Sequence, residues 1–289
     1  MGAAMALRLV GAGHHVTVWN RTAETADALV EQAEGVRMTA APSPEEAVAG
    51  CDVVLSMLAS GDVTCDVLLA PPVVQALAPG CVVVDLGTSG VTSSALLARG
   101  LKASGHRYVD APVSGSVPAV TSGTLLVMAS GHVEDVDAVR EVLGAFASRI
   151  LHVGKAGHGQ VMKLVVNLVV HDLNSALSEA LALAHTAGIS PDLAYTVLEQ
   201  SVVGAPFVQY KRAAFLDPQT AVAMSLDLVG KDLGLITTLA GSLGVPVVTT
   251  SAVQSQVDAA RGAGYGQEDM AALTRWVLTS VGRPARGTA

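Results

Sequence analysis

Lys163 and Asn167 stand four residues apart in the stretch Gly157-His158-Gly159-Gln160-Val161-Met162-Lys163-Leu164-Val165-Val166-Asn167, within a pattern that predicts a long apolar helix. At that spacing both side chains share one helix face, one turn apart. An ammonium among apolar residues is costly to bury without a partner or a task, and with the amide beside it the pair could hold one small polar ligand. The alternative is a lysine stem lying along an apolar surface with its charge in water.

A second candidate lies near the start. Residues Met1 to His14 read as a helix leading into a strand, Val16-Thr17-Val18-Trp19, that ends in Asn20-Arg21-Thr22. In dinucleotide-binding folds a strand, a Gly-rich turn and a helix N-terminus hold the pyrophosphate, and the second strand ends at the adenosine ribose. Here the first strand and most of the Gly-rich turn are absent, and Gly2 stands where the third glycine would. Asn20 replaces the acid that would accept from a ribose hydroxyl, and Arg21 follows it. That pairing favours a 2′-phosphate, hence NADP over NAD, with NAD left open. A surface cation at a helix start is the alternative for Arg21.

The elements that must position these residues fall into two regions. Up to residue 152, β-branched runs (16–19, 53–57, 81–85 and 125–128) alternate with helical patterns such as 22–32 and 93–104, which predicts a parallel sheet covered by helices. One helical pattern then runs from about 159 to 187, stopped by Gly188 with Pro191 beyond. Residues 191–200, 227–243, 248–263 and 267–281 all show helical spacing, and Arg283 to Ala289 read as a frayed tail. The fold class expected is α/β: a Rossmann-type domain lacking its first strand (1–152), joined by the long helix to an all-α domain (153–289). A sheet without that strand would leave apolar edges unpaired. The natural protein is therefore expected to begin roughly 10 residues upstream, this chain starting at an internal methionine.

The chain has 289 residues, 51% hydrophobic and only 3% aromatic, so its core must be built from Ala, Val and Leu. A mean hydropathy of +0.49 suggests apolar surface covered by a partner subunit, and a homodimer or homotetramer is expected. The net charge of −8 argues against nucleic acid or an anionic membrane as a partner. Lys163, Asn167 and His171 interrupt the apolar stretches before any reaches spanning length, and no convincing secretory signal opens the chain, so a cytoplasmic protein is expected. Cys51, Cys65 and Cys81 show no metal-ligand spacing, and no metal is expected.

Taken together, MGxxMAxxL at Met1 to Leu9, GHHVTVWNRT at Gly13 to Thr22, DLGTS at Asp85 to Ser89, DAPVSGS at Asp110 to Ser116, GTL at Gly123 to Leu125, GHGQVMKLVVN at Gly157 to Asn167 and KDLGL at Lys231 to Leu235 resemble the β-hydroxyacid dehydrogenase family. The resemblance runs from about Met1 to Leu278. It implies an NAD(P)-dependent oxidoreductase interconverting a small β-hydroxyacid with its semialdehyde or oxo acid, with Lys163 as general acid or base. Asn167 then matches the asparagine that binds substrate and orients the lysine. Ser114, Gly115 and Ser116 match a Ser-Gly-Gly turn that holds the substrate carboxylate. Gly2, Asn20, Arg21, Thr22, Met57, Leu58 and Thr88 match the cofactor side, and Lys231 with Asp232 match a helical-domain pair used toward cofactor and substrate. Three departures bear on substrate choice: Ser116 for glycine, Val166 where a second asparagine is frequent, and Met224 where an aromatic is common. A non-catalytic scaffold on the same fold and an imine reductase are the competing readings; the lysine speaks against the latter.

Overall fold

The computed structural model describes residues 1–34 and 37–281, and the expected tail from Arg283 lies outside them. The chain divides into two compact units, Met1–Leu164 and Val165–Ala289.

The first unit opens with helix α1 (Gly2–Gly11), followed by strand β1 (Val16–Val18), α2 (Ala23–Gln32) and β2 (Met38–Ala40); β1 and β2 pair in parallel. After the short α3 (Pro44–Val48) come β3 (Val53–Ser56), α4 (Gly61–Leu68), α5 (Pro71–Ala76), β4 (Val82–Asp85), α6 (Val91–Ala103) and β5 (Arg107–Asp110). These strands form a parallel sheet in the order β3-β4-β5. A third sheet holds β6 (Val113–Ser114), β7 (Leu125–Ala129) and β8 (Ala147–His152), with α7 (Val117–Thr121) and α8 (Val133–Gly144) between them. Here β7 runs parallel to β8, but β6 is antiparallel to β7, a reversal the alternating pattern does not announce.

Strand β4 shows why the central run is uniformly apolar. Val82 and Val84 pack into one cluster with Met5 and Leu9 of α1 and Val136, Val139 and Leu143 of α8. Val83, on the opposite face, packs with Leu97 and Leu101 of α6 and Leu68 of α4. A parallel strand with helices on both faces needs apolar side chains at every position. The open edges expected of the sheet are present: among the described residues β1 pairs with β2 alone and β3 with β4 alone.

The long helix α9 (His158–Thr186) runs through the boundary between the units and stops before Gly188, which takes a φ of +87°. The second unit adds α10 (Pro191–Gln200), α11 (Pro206–Leu216), α12 (Leu226–Leu243), α13 (Val248–Ala260) and α14 (Leu273–Thr279). Ser190 and Ser225 cap α10 and α12 by accepting the N–H of Leu193 and Leu228. Two helices expected as continuous are broken. The one expected over 248–263 is regular only to Ala260 and then widens into a π-turn over Arg261–Tyr265, broken at Gly264, whose φ is +96°. The last begins as a 3₁₀ turn, Met270–Ala272, because the Asp269 carboxylate accepts the Ala271 N–H there.

Candidate active site

Strands β3, β4 and β5 are in register at their carboxyl ends, where Ser56 stands beside Asp85 and Asp85 beside Asp110. The segments that follow, from Met57, Leu86 and Ala111, therefore leave the sheet side by side, the usual place for a ligand in an open parallel sheet. Met57, Leu58 and Thr88 all lie there and are half-buried. A Cβ added at Gly87 would come within 3.4 Å of the Leu58 carbonyl oxygen, so these two turns touch. Gly2 belongs to the same neighbourhood: a Cβ there would meet the Met57 Cβ at 3.5 Å.

Gly2 is also the first residue of α1, whose first turn carries no acidic side chain. Unpaired amides of such a turn, with a glycine at the opening, fit the pyrophosphate of a dinucleotide. At the end of β1, Asn20 Oδ1 accepts the Thr22 N–H at 2.9 Å, folding Asn20-Arg21-Thr22 into a tight turn ahead of α2. All three residues are exposed, and the strand they follow belongs to a different sheet from the strands that precede Met57 and Thr88.

Ser114 ends β6, and Gly115 follows with φ +131°; a Cβ at this glycine would lie 2.6 Å from Leu125 Cδ2. Backbone and packing both require glycine at this position. Ser116 has an extended backbone (φ −120°), which any residue adopts, so a serine in place of the family's third glycine costs no backbone strain. It is the N-cap residue of α7, and its side chain makes no cap hydrogen bond.

In the second unit Asn167 Nδ2 donates to Asp232 Oδ2 at 2.6 Å, and the Lys231 ammonium lies 3.2 Å from Asp232 Oδ1. Asn167 is 6% exposed and Asp232 3%. A buried carboxylate at this depth persists as an anion only with charged and hydrogen-bonding partners, which Lys231 and Asn167 supply. His171, one turn beyond Asn167 on α9, joins the group with Nε2 3.7 Å from Asp232 Oδ2. It was not among the expected site residues, although its spacing from Asn167 in an apolar helix was the available signal. Lys163 precedes Asn167 by one turn of α9 and is half-buried.

A further group missed from the sequence lies at the start of α9. Gln160 is fully buried and reaches both the turn that carries Thr88 and Asp110 at the end of β5. Burial drives the Asp110 carboxyl above its ordinary range, against the hydrogen bonds from Gln160 and Ser130 that pull it down.

Comparison with known proteins agrees with this geometry. A family profile described as the NAD binding domain of 6-phosphogluconate dehydrogenase matches residues 1–154. A second, described as NAD-binding of NADP-dependent 3-hydroxyisobutyrate dehydrogenase, matches residues 157–277. The chain is 29% identical to glyoxylate/succinic semialdehyde reductase 2 (chloroplastic) of Arabidopsis thaliana over 286 residues, which is 99% of this chain and 79% of that protein. It is likewise 29% identical to 3-sulfolactaldehyde reductase of Escherichia coli strain K12, covering 99% of this chain and 95% of the relative. Among solved structures, 3-hydroxyisobutyrate dehydrogenase from Salmonella typhimurium superposes with a TM-score of 0.88 at 27% identity, over 95% of both chains.

The fold and these matches thus define a nicotinamide-dinucleotide oxidoreductase. The chain belongs to the β-hydroxyacid dehydrogenase family, the NAD(P)-dependent hydroxyacid dehydrogenases and semialdehyde reductases.

Proposed function

We propose that this protein is an NADP-preferring reductase of a small aldehyde that carries an anionic group, with Lys163 as the general acid. The observation that carries the reading is the network of buried Asn167 and Asp232 with half-buried Lys231, one helical turn beyond Lys163. It keeps an amide fixed on the face of α9 that also bears the lysine. Bound NADPH supplies the hydride. Gly2 with the first turn of α1 would hold its pyrophosphate, Arg21 its 2′-phosphate, and Met57, Leu58 and Thr88 its nicotinamide side.

In the reducing direction Lys163 gives a proton from Nζ to the carbonyl oxygen, and Asn167 orients both substrate and lysine. Ser114, Gly115 and Ser116 present hydroxyl and amide donors to the substrate carboxylate. Asp232 sets the charge around Asn167, so that Lys231 and Asp232 act as one neutral pair toward ligand. The reading of NADP over NAD rests on Arg21, which is exposed directly behind Asn20 at the end of β1.

A homo-oligomer belongs to the same reading. Its support is apolar surface on the helical unit, where Leu183 is 74% and Val248 79% exposed. No helix among the described residues is long and apolar enough to cross a membrane.

The test is NADPH oxidation with a panel holding glyoxylate, succinic semialdehyde and 3-sulfolactaldehyde, the compounds named for the relatives. Turnover of at least one, with NADPH preferred over NADH, supports the reading. Failure both to bind and to oxidise NADPH would favour the scaffold.

A further inference from the structure

Gln160 uses every polar atom it has. Its Oε1 accepts the N–H groups of Ser89 and Gly90, each at 3.0 Å. Its Nε2 donates to the Gly87 carbonyl at 3.0 Å and to Asp110 Oδ1 at 2.9 Å. Its backbone N–H donates to Asp110 Oδ2 at 3.0 Å, and the same oxygen takes the Ser130 hydroxyl at 2.9 Å. The Ser130 hydroxyl in turn accepts the Gly159 N–H at 3.0 Å. Three of these bonds grip the turn Gly87–Gly90, in which Thr88 sits; the others tie the first turn of α9 to the end of β5. A Cβ at Gly159 would lie 2.6 Å from the Met128 carbonyl oxygen, so the helix start is also pressed against β7.

Lys163 follows Gln160 by three residues, on the neighbouring position of the same helix face. We propose that Gln160 is a positioning residue that fixes the Lys163 turn of α9 relative to the Thr88 turn, and so sets the geometry of proton donor against nicotinamide. This rests on the roles proposed for Lys163 and Thr88. An uncharged carboxamide is the side chain that donates and accepts at once with this reach. No other residue type completes both halves of the clasp.

Gln160→Glu keeps the shape and the acceptor for Ser89 and Gly90, removes both Nε2 donations and sets a second carboxylate against Asp110. The turn and the helix are then held by one side of the clasp. Adding Asp110→Asn restores a donor across the gap, because the new amide can donate to the introduced carboxylate while its oxygen still accepts from the Gln160 backbone position and Ser130.

The experiment measures kcat with NADPH and the best aldehyde of the panel, and NADPH Kd by fluorescence, on protein checked as folded by circular dichroism. The expected result is a kcat at least about tenfold lower in Q160E, with Kd changed by less than about threefold and a substantial part of the kcat recovered in Q160E/D110N. Should Q160E fail to accumulate, the neutral Q160N carries the same criterion. Wild-type kcat in the folded single variant, with loss confined to thermal stability, would overturn the proposal. K163A run in parallel separates the two failures. An active K163A overturns the assignment beneath the proposal, whereas an inactive K163A beside a fully active Q160E overturns the proposal alone.

Discussion

Asn167 spends its amide on a carboxylate that is itself buried, and that fixes what its removal should do. Asn167→Ala takes a hydrogen bond from the Asp232 anion, a loss of about 1.5–3 kcal/mol. If the amide also orients substrate, kcat/KM should fall by about 10- to 100-fold with NADPH affinity little changed; equal losses in both would place Asn167 on the cofactor instead. Arg21 makes a separate prediction, because its exposed guanidinium is assigned to one phosphate. Arg21→Ser should weaken NADPH by about tenfold, about 1.4 kcal/mol, and leave NADH within about twofold, measured by paired fluorescence titrations. Both proposals start from a visible signal: Asn167 is a polar group in an apolar helical pattern, and Arg21 follows Asn20, which stands where the ribose-binding acid would. Gln160 and His171 were missed. Gln160's partners Gly87, Ser89, Gly90 and Asp110 lie 50 to 73 residues away, and helical spacing does not say which loop packs on a given turn.

At the scale of elements, the strands that announce themselves are those made of unbroken apolar or β-branched runs. Val82-Val83-Val84 reads as a strand because helices cover both its faces and every position is apolar, whereas Arg107-Tyr108-Val109-Asp110 and Ala147 to His152 carry polar residues that dilute the pattern. In β5 the exception has a cause: the Arg107 guanidinium pairs with Asp135 of α8, and Asp110 ends the strand inside the Gln160 network. The short helices α3, α4 and α5 went unread for a related reason. They begin at Ser-Pro, Ser-Gly or Ala-Pro signals that also mark turns, and are too short for periodicity to decide. Helix α9 depends on close approach at its start. Gly159→Ala places a methyl 2.6 Å from the Met128 carbonyl oxygen and 2.8 Å from Asp110 Oδ2. Overpacking of this kind should cost about 1–3 kcal/mol, read as a lower urea midpoint at unchanged slope; an unshifted midpoint would show that the helix start can yield.

Across the whole molecule, the two-unit organisation and the all-helical second unit follow from the change of period near residue 159, but what holds the second unit together does not. The Lys211 ammonium bonds both oxygens of Asp269, at 2.7 and 2.8 Å, and Asp269 also accepts the N–H groups of Ala223, Met224 and Ala271. Burial pushes the Asp269 carboxyl up, but Lys211 and these amides outweigh it and hold it below the ordinary range. A carboxylate held below its unfolded value contributes stability that is present above the usual carboxylate range and lost as pH falls through the folded value. Acidification below about pH 4 should therefore loosen the helical unit. Lys211→Met should remove about 3–5 kcal/mol by stranding the buried anion, and a flattened acid limb in its stability-against-pH curve would accompany the loss. The most direct check on the account as a whole is turnover by Lys163→Ala, on protein shown by titration to bind NADPH as the parent does. The account predicts that rate falling by about 10²- to 10⁴-fold at unchanged cofactor Kd; a variant keeping a tenth or more of the parent rate would contradict it.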